Sequence, residues 1–216
     1  MKNTSDYVLI FTLAILIAVF PFKSASAQNG GYFGISGGYT INPDLRSGDY
    51  DYWDFYEDDI HLDVEEVPVL GAKLGYTHPR ARSLALELEY SYLNPDITNS
   101  VNVEGDVKLN NFMFNIFTRI PAGIIHPYWG LGFGFCNSDM SAEAAQWLGG
   151  KDATSFAWQL LTGVEIDMTN NLTLDIGYRY FSTELEFENS TEYGHGNHRD
   201  VDFRTNMVTL GFKFFF

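Results

Sequence analysis

The chain closes on Val208-Thr209-Leu210-Gly211-Phe212-Lys213-Phe214-Phe215-Phe216, where every second residue is apolar. One face carries Val208, Leu210, Phe212, Phe214 and Phe216, and the other carries Thr209, Gly211, Lys213 and Phe215. A repeat of two puts successive side chains on opposite faces of a strand, so this strand meets two different environments. In water its greasier face would be an exposed, aggregation-prone edge. A lipid phase on that face removes the problem.

Seven earlier segments show the same repeat. Residues 31–40 set Phe33, Ile35 and Tyr39 on one face, and residues 66–77 set Leu70, Ala72, Leu74 and Tyr76 against Gly71, Lys73 and Gly75. Residues 83–93 oppose Leu84, Leu86, Leu88, Tyr90 and Tyr92 to Ala85, Glu87, Glu89 and Ser91. Residues 108–120 oppose Phe112, Phe114, Ile116 and Ile120 to Asn111, Met113, Asn115 and Arg119. In residues 128–137, Trp129, Leu131, Phe133 and Phe135 alternate with Gly130, Gly132 and Gly134. Residues 154–168 and 172–183 repeat the pattern, with Gln159, Glu165, Asp175 and Arg179 on the polar side. Residues 201–216 close the set, and a helical period of 3.6 fits none of them.

Connection lengths alternate too. Residues 78–82, 121–127 and 169–171 are short links, whereas 41–65, 94–107, 138–153 and 184–200 are long and polar. Short turns on one side and long loops on the other are the arrangement of an even-stranded barrel in an outer membrane. A soluble eight-stranded barrel would turn its apolar face inward. Here the polar, glycine-rich face must point in. The expected fold is all-β: an eight-stranded antiparallel up-and-down transmembrane β-barrel, with both ends periplasmic and four acidic loops outside.

The start of the chain agrees. Lys2 lies in a short polar stretch, residues 7–20 are apolar, and Ala25-Ser26-Ala27 is a small-x-small cleavage site, the layout of a signal peptide. The apolar run is shorter than the roughly 20 residues a spanning helix needs. Residues 1–27 are therefore read as a signal peptide and 28–216 as one barrel domain. Removing Lys2, Lys23 and Asp6 takes the formal charge from −15 to −16. Such a surface excludes nucleic acid as a partner. Cys136 is the one cysteine, so no internal disulfide framework exists.

Residues 29–216 resemble the OmpA/OmpX-like eight-stranded outer-membrane β-barrel family. The stretches that carry the likeness are Gly31-Tyr32-Phe33-Gly34-Ile35-Ser36-Gly37-Gly38-Tyr39 and His126-Pro127-Tyr128-Trp129-Gly130-Leu131-Gly132-Phe133-Gly134. Two more are Phe156-Ala157-Trp158-Gln159-Leu160-Leu161-Thr162-Gly163-Val164-Glu165 and Leu172-Thr173-Leu174-Asp175-Ile176-Gly177-Tyr178-Arg179-Tyr180. These motifs are architectural. The resemblance implies outer-membrane lipid and lipopolysaccharide as surroundings, and Phe216 as the signal read by the barrel-assembly machinery. It implies no single activity, because such barrels serve as structural anchors, adhesins, defence proteins or narrow pores. No peptidoglycan-binding segment like that of full OmpA proteins is expected, so that role is not carried over.

Eight strands enclose a lumen that side chains can fill. Inward charges in such a space need partners, because desolvation is costly. Lys73, Glu87, Arg119, Glu165, Asp175 and Lys213 are expected to form a lumenal ion-pair network, with Glu89 and Arg179 one layer above. Outside, Asp51, Tyr52, Trp53, Asp54, Phe55, Tyr56, Asp58 and Asp59 interleave acidic and aromatic groups. That composition suits an extracellular ligand, a hard cation or a solvated loop. It lacks the spacing of an EF-hand, and no dedicated metal site or cofactor is expected. His195 and His198 have no evident third ligand. Barrels of this fold also include lipid A deacylases and palmitoyltransferases, but no outward His–Ser pair with an acidic orienter occurs within one strand. His126 is expected in a periplasmic turn, and His61, His195 and His198 in loops. No residue is expected to be catalytic. The reading is a structural or surface-interaction barrel, with a narrow channel as the alternative and a lipid A-modifying enzyme further behind.

Overall fold

The computed structural model describes residues 30–49, 60–78, 81, 83–98, 104–121, 123–140, 152–188 and 198–216. Its strands are β1 (Gly30–Asp49), β2 (Ile60–Val64), β3 (Pro68–Thr77), β4 (Leu84–Leu93) and β5 (Asp96–Thr98). They continue with β6 (Glu104–Arg119), β7 (Ile125–Met140), β8 (Asp152–Asp167), β9 (Leu172–Glu188) and β10 (His198–Phe215). Eight of these form the barrel: β1, β3, β4, β6, β7, β8, β9 and β10 pair in antiparallel succession, and β10 returns to β1. Closure satisfies the backbone groups that an open edge would leave bare in hydrocarbon. The short strands β2 and β5 extend the sheet at the long-loop end, where β2 pairs with β1 and β5, and β5 with β6.

The strands run further than the alternation indicates. β1 was expected to end at Thr40 but continues to Asp49, and part of the first long connection is β2. The cause is a β-bulge. Between Ile41 and Asp44 the register against β10 gains a residue, and Asn42 takes φ 48° there. Asn42-Pro43 reads as a turn in the sequence, yet an extra residue kinks a strand without ending it. β9 and β10 likewise reach Glu188 and His198, into a stretch expected to be loop. Above the bilayer both faces of a strand can be polar, so the period of two fades although the ladder persists.

His126 corrects a second expectation. It is the second residue of β7, not part of a turn. Pro127 follows it inside the strand, a place proline tolerates only near a strand's start. His61 and His198 likewise fall in β2 and β10, whereas His195 and residues 51–59 lie outside the described residues. The same holds for residues 1–27.

An apolar belt runs round the barrel wall. Ile35, Leu74, Leu88, Phe112, Leu131, Leu160, Ile176 and Leu210, one from each strand, are 42–57% exposed. A soluble protein does not present a continuous girdle of that kind. The lumen is layered. Near the short turns it is charged, and towards the long loops it is apolar, built from Val69, Leu93, Leu109, Met113, Phe181 and Phe203 among others. This apolar upper layer departs from the polar, glycine-rich interior that the sequence implies. Substituting Leu131→Arg in the belt should cost about 2–4 kcal/mol of folding free energy in lipid vesicles, against about 0–1 kcal/mol for Met168→Arg beside a short turn. Equal costs from urea titrations would mean that Leu131 does not face hydrocarbon.

Candidate functional site

These eight inward charges lie on six strands. Lys73 is on β3, Glu87 and Glu89 on β4, Arg119 on β6, Glu165 on β8, Asp175 and Arg179 on β9, and Lys213 on β10. The strand repeat alone puts each on the inner face, and each is buried. Lys213 is the hub. Its Nζ lies 2.8 Å from Glu165 Oε1, 3.3 Å from Glu87 Oε2 and 3.5 Å from Asp175 Oδ2. Lys73 Nζ reaches across the lumen to Asp175 Oδ2 at 2.9 Å, and Arg119 Nη1 meets Glu165 Oε2 at 3.0 Å. Arg179 Nη1 pairs with Glu89 Oε1. Four cations face four carboxylates, so the cluster is formally neutral and no charge is buried without an opposite.

Neutral donors complete the carboxylates. Tyr32 Oη donates to Glu87 Oε2 and Tyr128 Oη to Asp175 Oδ1, both at 2.8 Å. Asn115 Nδ2 donates to Glu89 Oε2 at 2.8 Å and to Glu87 Oε1 at 3.2 Å, while Gln159 Nε2 donates to Asn115 Oδ1 at 2.7 Å. Rings close the space around the ammonium: Lys213 Nζ sits 4.8 Å from the Phe117 ring centre, 5.0 Å from Tyr32 and 5.7 Å from Tyr128. Those faces attract a cation that has lost its water.

Small residues make room for the rings. Tyr32 pairs in register with Gly75 and Tyr128 with Gly163, and a Cβ on either glycine would collide with the tyrosine opposite. The tyrosines can therefore lie flat across the lumen wall and carry their hydroxyls to the carboxylates. Below the network, His126 Nδ1 lies 3.0 Å from Ile120 O and Nε2 lies 2.9 Å from Asp167 Oδ2. Thr173 Oγ1 donates to Asp167 Oδ1 at 3.0 Å. This set ties the start of β7 to the end of β8 and the start of β9.

Sequence reasoning had not singled out Tyr32, Tyr128, Asn115, Gln159 or Asp167 as partners. The usable signal was positional: all five occupy inward places in the alternation. Phe216 lies at the same short-turn end, with its ring on the lipid side and its N–H donating to Gly31 O at 3.0 Å.

Replacing Lys213 with Met leaves three buried carboxylates short of a cation. The expected loss is about 3–5 kcal/mol, and adding Glu165→Gln should recover part of it. Urea unfolding of the refolded barrel measures both, and a Lys213→Met loss below about 0.5 kcal/mol would show that Lys213 is no hub.

The chain is similar to several known proteins. An uncharacterized protein of Brucella abortus is 24% identical over 225 residues, covering 91% of this chain and 72% of the relative. OprG of Pseudomonas aeruginosa superimposes with a TM-score of 0.58 at 19% identity, covering 88% of this chain and 99% of OprG. Neisserial surface protein A gives 0.53 at 18%, covering 87% and 98% of the two chains. Likeness at these identities is likeness of fold. The outer membrane protein beta-barrel domain family matches residues 12–216. A closed eight-stranded wall, an apolar belt and that match agree: the chain belongs to the outer membrane protein beta-barrel domain family and is a transmembrane β-barrel of the bacterial outer membrane.

Proposed function

We propose that this protein is a closed scaffold whose work is done at its outer surface, in a structural or adhesion-like role, and that it is neither a conducting pore nor an enzyme. The observation that carries the reading is the lumenal network centred on Lys213, in which three carboxylates converge on one ammonium. An ion crossing this layer would have to part those pairs in a lumen that side chains already fill. The apolar layer above offers it no replacement ligands. Function then falls to the external segments, with Asp51, Tyr52, Trp53, Asp54, Phe55, Tyr56, Asp58 and Asp59 as the contact surface for an extracellular ligand. Residues 1–27 act as the export signal, and Phe216 presents the barrel to the assembly machinery. Outer-membrane lipid and lipopolysaccharide surround the apolar belt. Because the surface is acidic, attachment to an anionic cell surface would depend on divalent cations.

Conductance of the refolded protein in a planar bilayer tests the reading. A silent membrane is expected, with the barrel's folded state confirmed by its heat-modifiable mobility on gels. Reproducible unitary steps that change in Arg119→Ala or Glu87→Ala would establish the alternative, a narrow channel gated by its own charges.

A further inference from the structure

The barrel wall splits on its outer side. β8 and β9 pair from Asp167↔Thr173 up to Ala157↔Thr183, and there their ladder ends. Both strands go on. β8 continues along β7 to Asp139↔Asp152, and β9 continues along β10 to His198↔Glu188. Between the diverging strands lies a cleft of about 600 Å³, lined by Phe156 and Trp158 of β8, Tyr180 and Glu184 of β9, and Asp202 and Arg204 of β10, with Ser and Thr hydroxyls between them. Thr183 Oγ1 donates to Phe156 O at 3.0 Å across its floor.

Its height on the barrel identifies what it faces. Below it the outward rows are apolar, with Val164, Ile176 and Leu210 aligned across three strands. Next comes a girdle in which Tyr178 Oη donates to Asn206 Oδ1 at 2.7 Å and the rings of Trp158 and Tyr180 meet at 5.5 Å. The next row up is Trp158, Ser182 and Arg204, and above that Glu184 pairs in register with Asp202. Aromatic girdles mark the membrane–water boundary. The cleft therefore opens where the headgroups of the outer leaflet lie.

Its chemistry selects among headgroups. Two carboxylates, Glu184 and Asp202, face one guanidinium, Arg204, already held by Asp202 at 2.8 Å. A bare phosphate would meet more repulsion than attraction. A sugar fits better: its hydroxyls can donate to the carboxylates and accept from Arg204, while its C–H face packs on Trp158 and the exposed Phe156. We propose that this cleft is a binding site for the saccharide headgroup of lipopolysaccharide, with the acyl chains lying on the apolar wall of Leu160, Ile176 and Leu210 below. The site is on the outer wall, so it stands whether or not the lumen conducts.

The test is titration of the refolded protein in detergent micelles with rough lipopolysaccharide, phosphatidylglycerol and the lipid-free core oligosaccharide, with bound molecules counted by native mass spectrometry. Lipopolysaccharide should bind at least tenfold more tightly than either comparator. Trp158→Leu and Arg204→Ala should each weaken it at least fivefold, whereas Trp129→Leu, on the lipid face beside a short turn, should leave it unchanged. Equal binding of lipopolysaccharide and phosphatidylglycerol would reduce the site to general lipid contact and overturn the proposal. So would folded Trp158→Leu and Arg204→Ala barrels that bind as wild type does. Oligosaccharide binding as tight as lipopolysaccharide would make the ligand a free glycan and overturn the membrane-lipid assignment.

Discussion

Lys213 organises the lumen because carboxylates from three strands meet at its ammonium, and β10 delivers it. Glu87 comes from β4, Glu165 from β8 and Asp175 from β9, so no pair of neighbouring strands contains the cluster. Every other feature of the charged layer follows from bringing those groups together out of water. Carboxylates gathered at that distance need both countercharge and hydrogen-bond donors, which explains Lys73 on Asp175, Arg119 on Glu165, and the two tyrosine hydroxyls. The glycines opposite those tyrosines are part of the same arrangement, since the rings could not lie across the wall over a larger residue.

The alternation made much of this legible. A strand period of two assigns each charge to a face without reference to any other strand, which is why Lys73, Glu87, Glu165 and Lys213 could be grouped from sequence. It does not assign partners. Adjacency in sequence order suggests Lys73 with Glu87, yet Lys73 reaches over to Asp175, a residue 102 positions away. Which residues share a level depends on strand stagger around the closed barrel, and stagger is a property of the whole wall. Local pattern carries no information about it. Tyr32 and Tyr128 escaped notice for a related reason: an aromatic on the inward face looks like packing until the carboxylate opposite is known.

The strand ends were obscured for a different physical reason. Inside the bilayer, the contrast between lipid and lumen writes the period of two into the sequence. Above it, both faces can meet water, and the bulge at Asn42-Pro43 adds turn-forming residues to a strand that continues. The hidden apolar layer of Phe181, Phe203 and Met207 belongs to this region too. Those residues lie inward near the mouth of the barrel, where the outward places beside them, Ser182, Asp202 and Arg204, are polar, so the lipid-out, polar-in pattern no longer marks the faces. The end of the β8–β9 ladder is invisible to periodicity altogether, because both strands persist and only their pairing stops.

Charge pairing and barrel closure depend on each other. The chain separations between paired groups, 46 for Arg119 and Glu165, 48 for Lys213 and Glu165, and 102 for Lys73 and Asp175, span most of the barrel. None of the Lys213 pairs can be made until β10 is in place, and β10 is also the strand that joins β9 to β1 and seals the wall. Before closure each carboxylate is better left in water. After closure the charges are buried from bulk solvent and the pairs must form together. A slip of β10 by one residue would turn Lys213 into lipid and Phe212 or Phe214 into the charged layer, and a slip of two would carry the ammonium off the level of its carboxylates. The lumenal charges therefore do more than fill space. They make one register of the closing strand much better than its neighbours, a discrimination that an all-apolar interior could not supply.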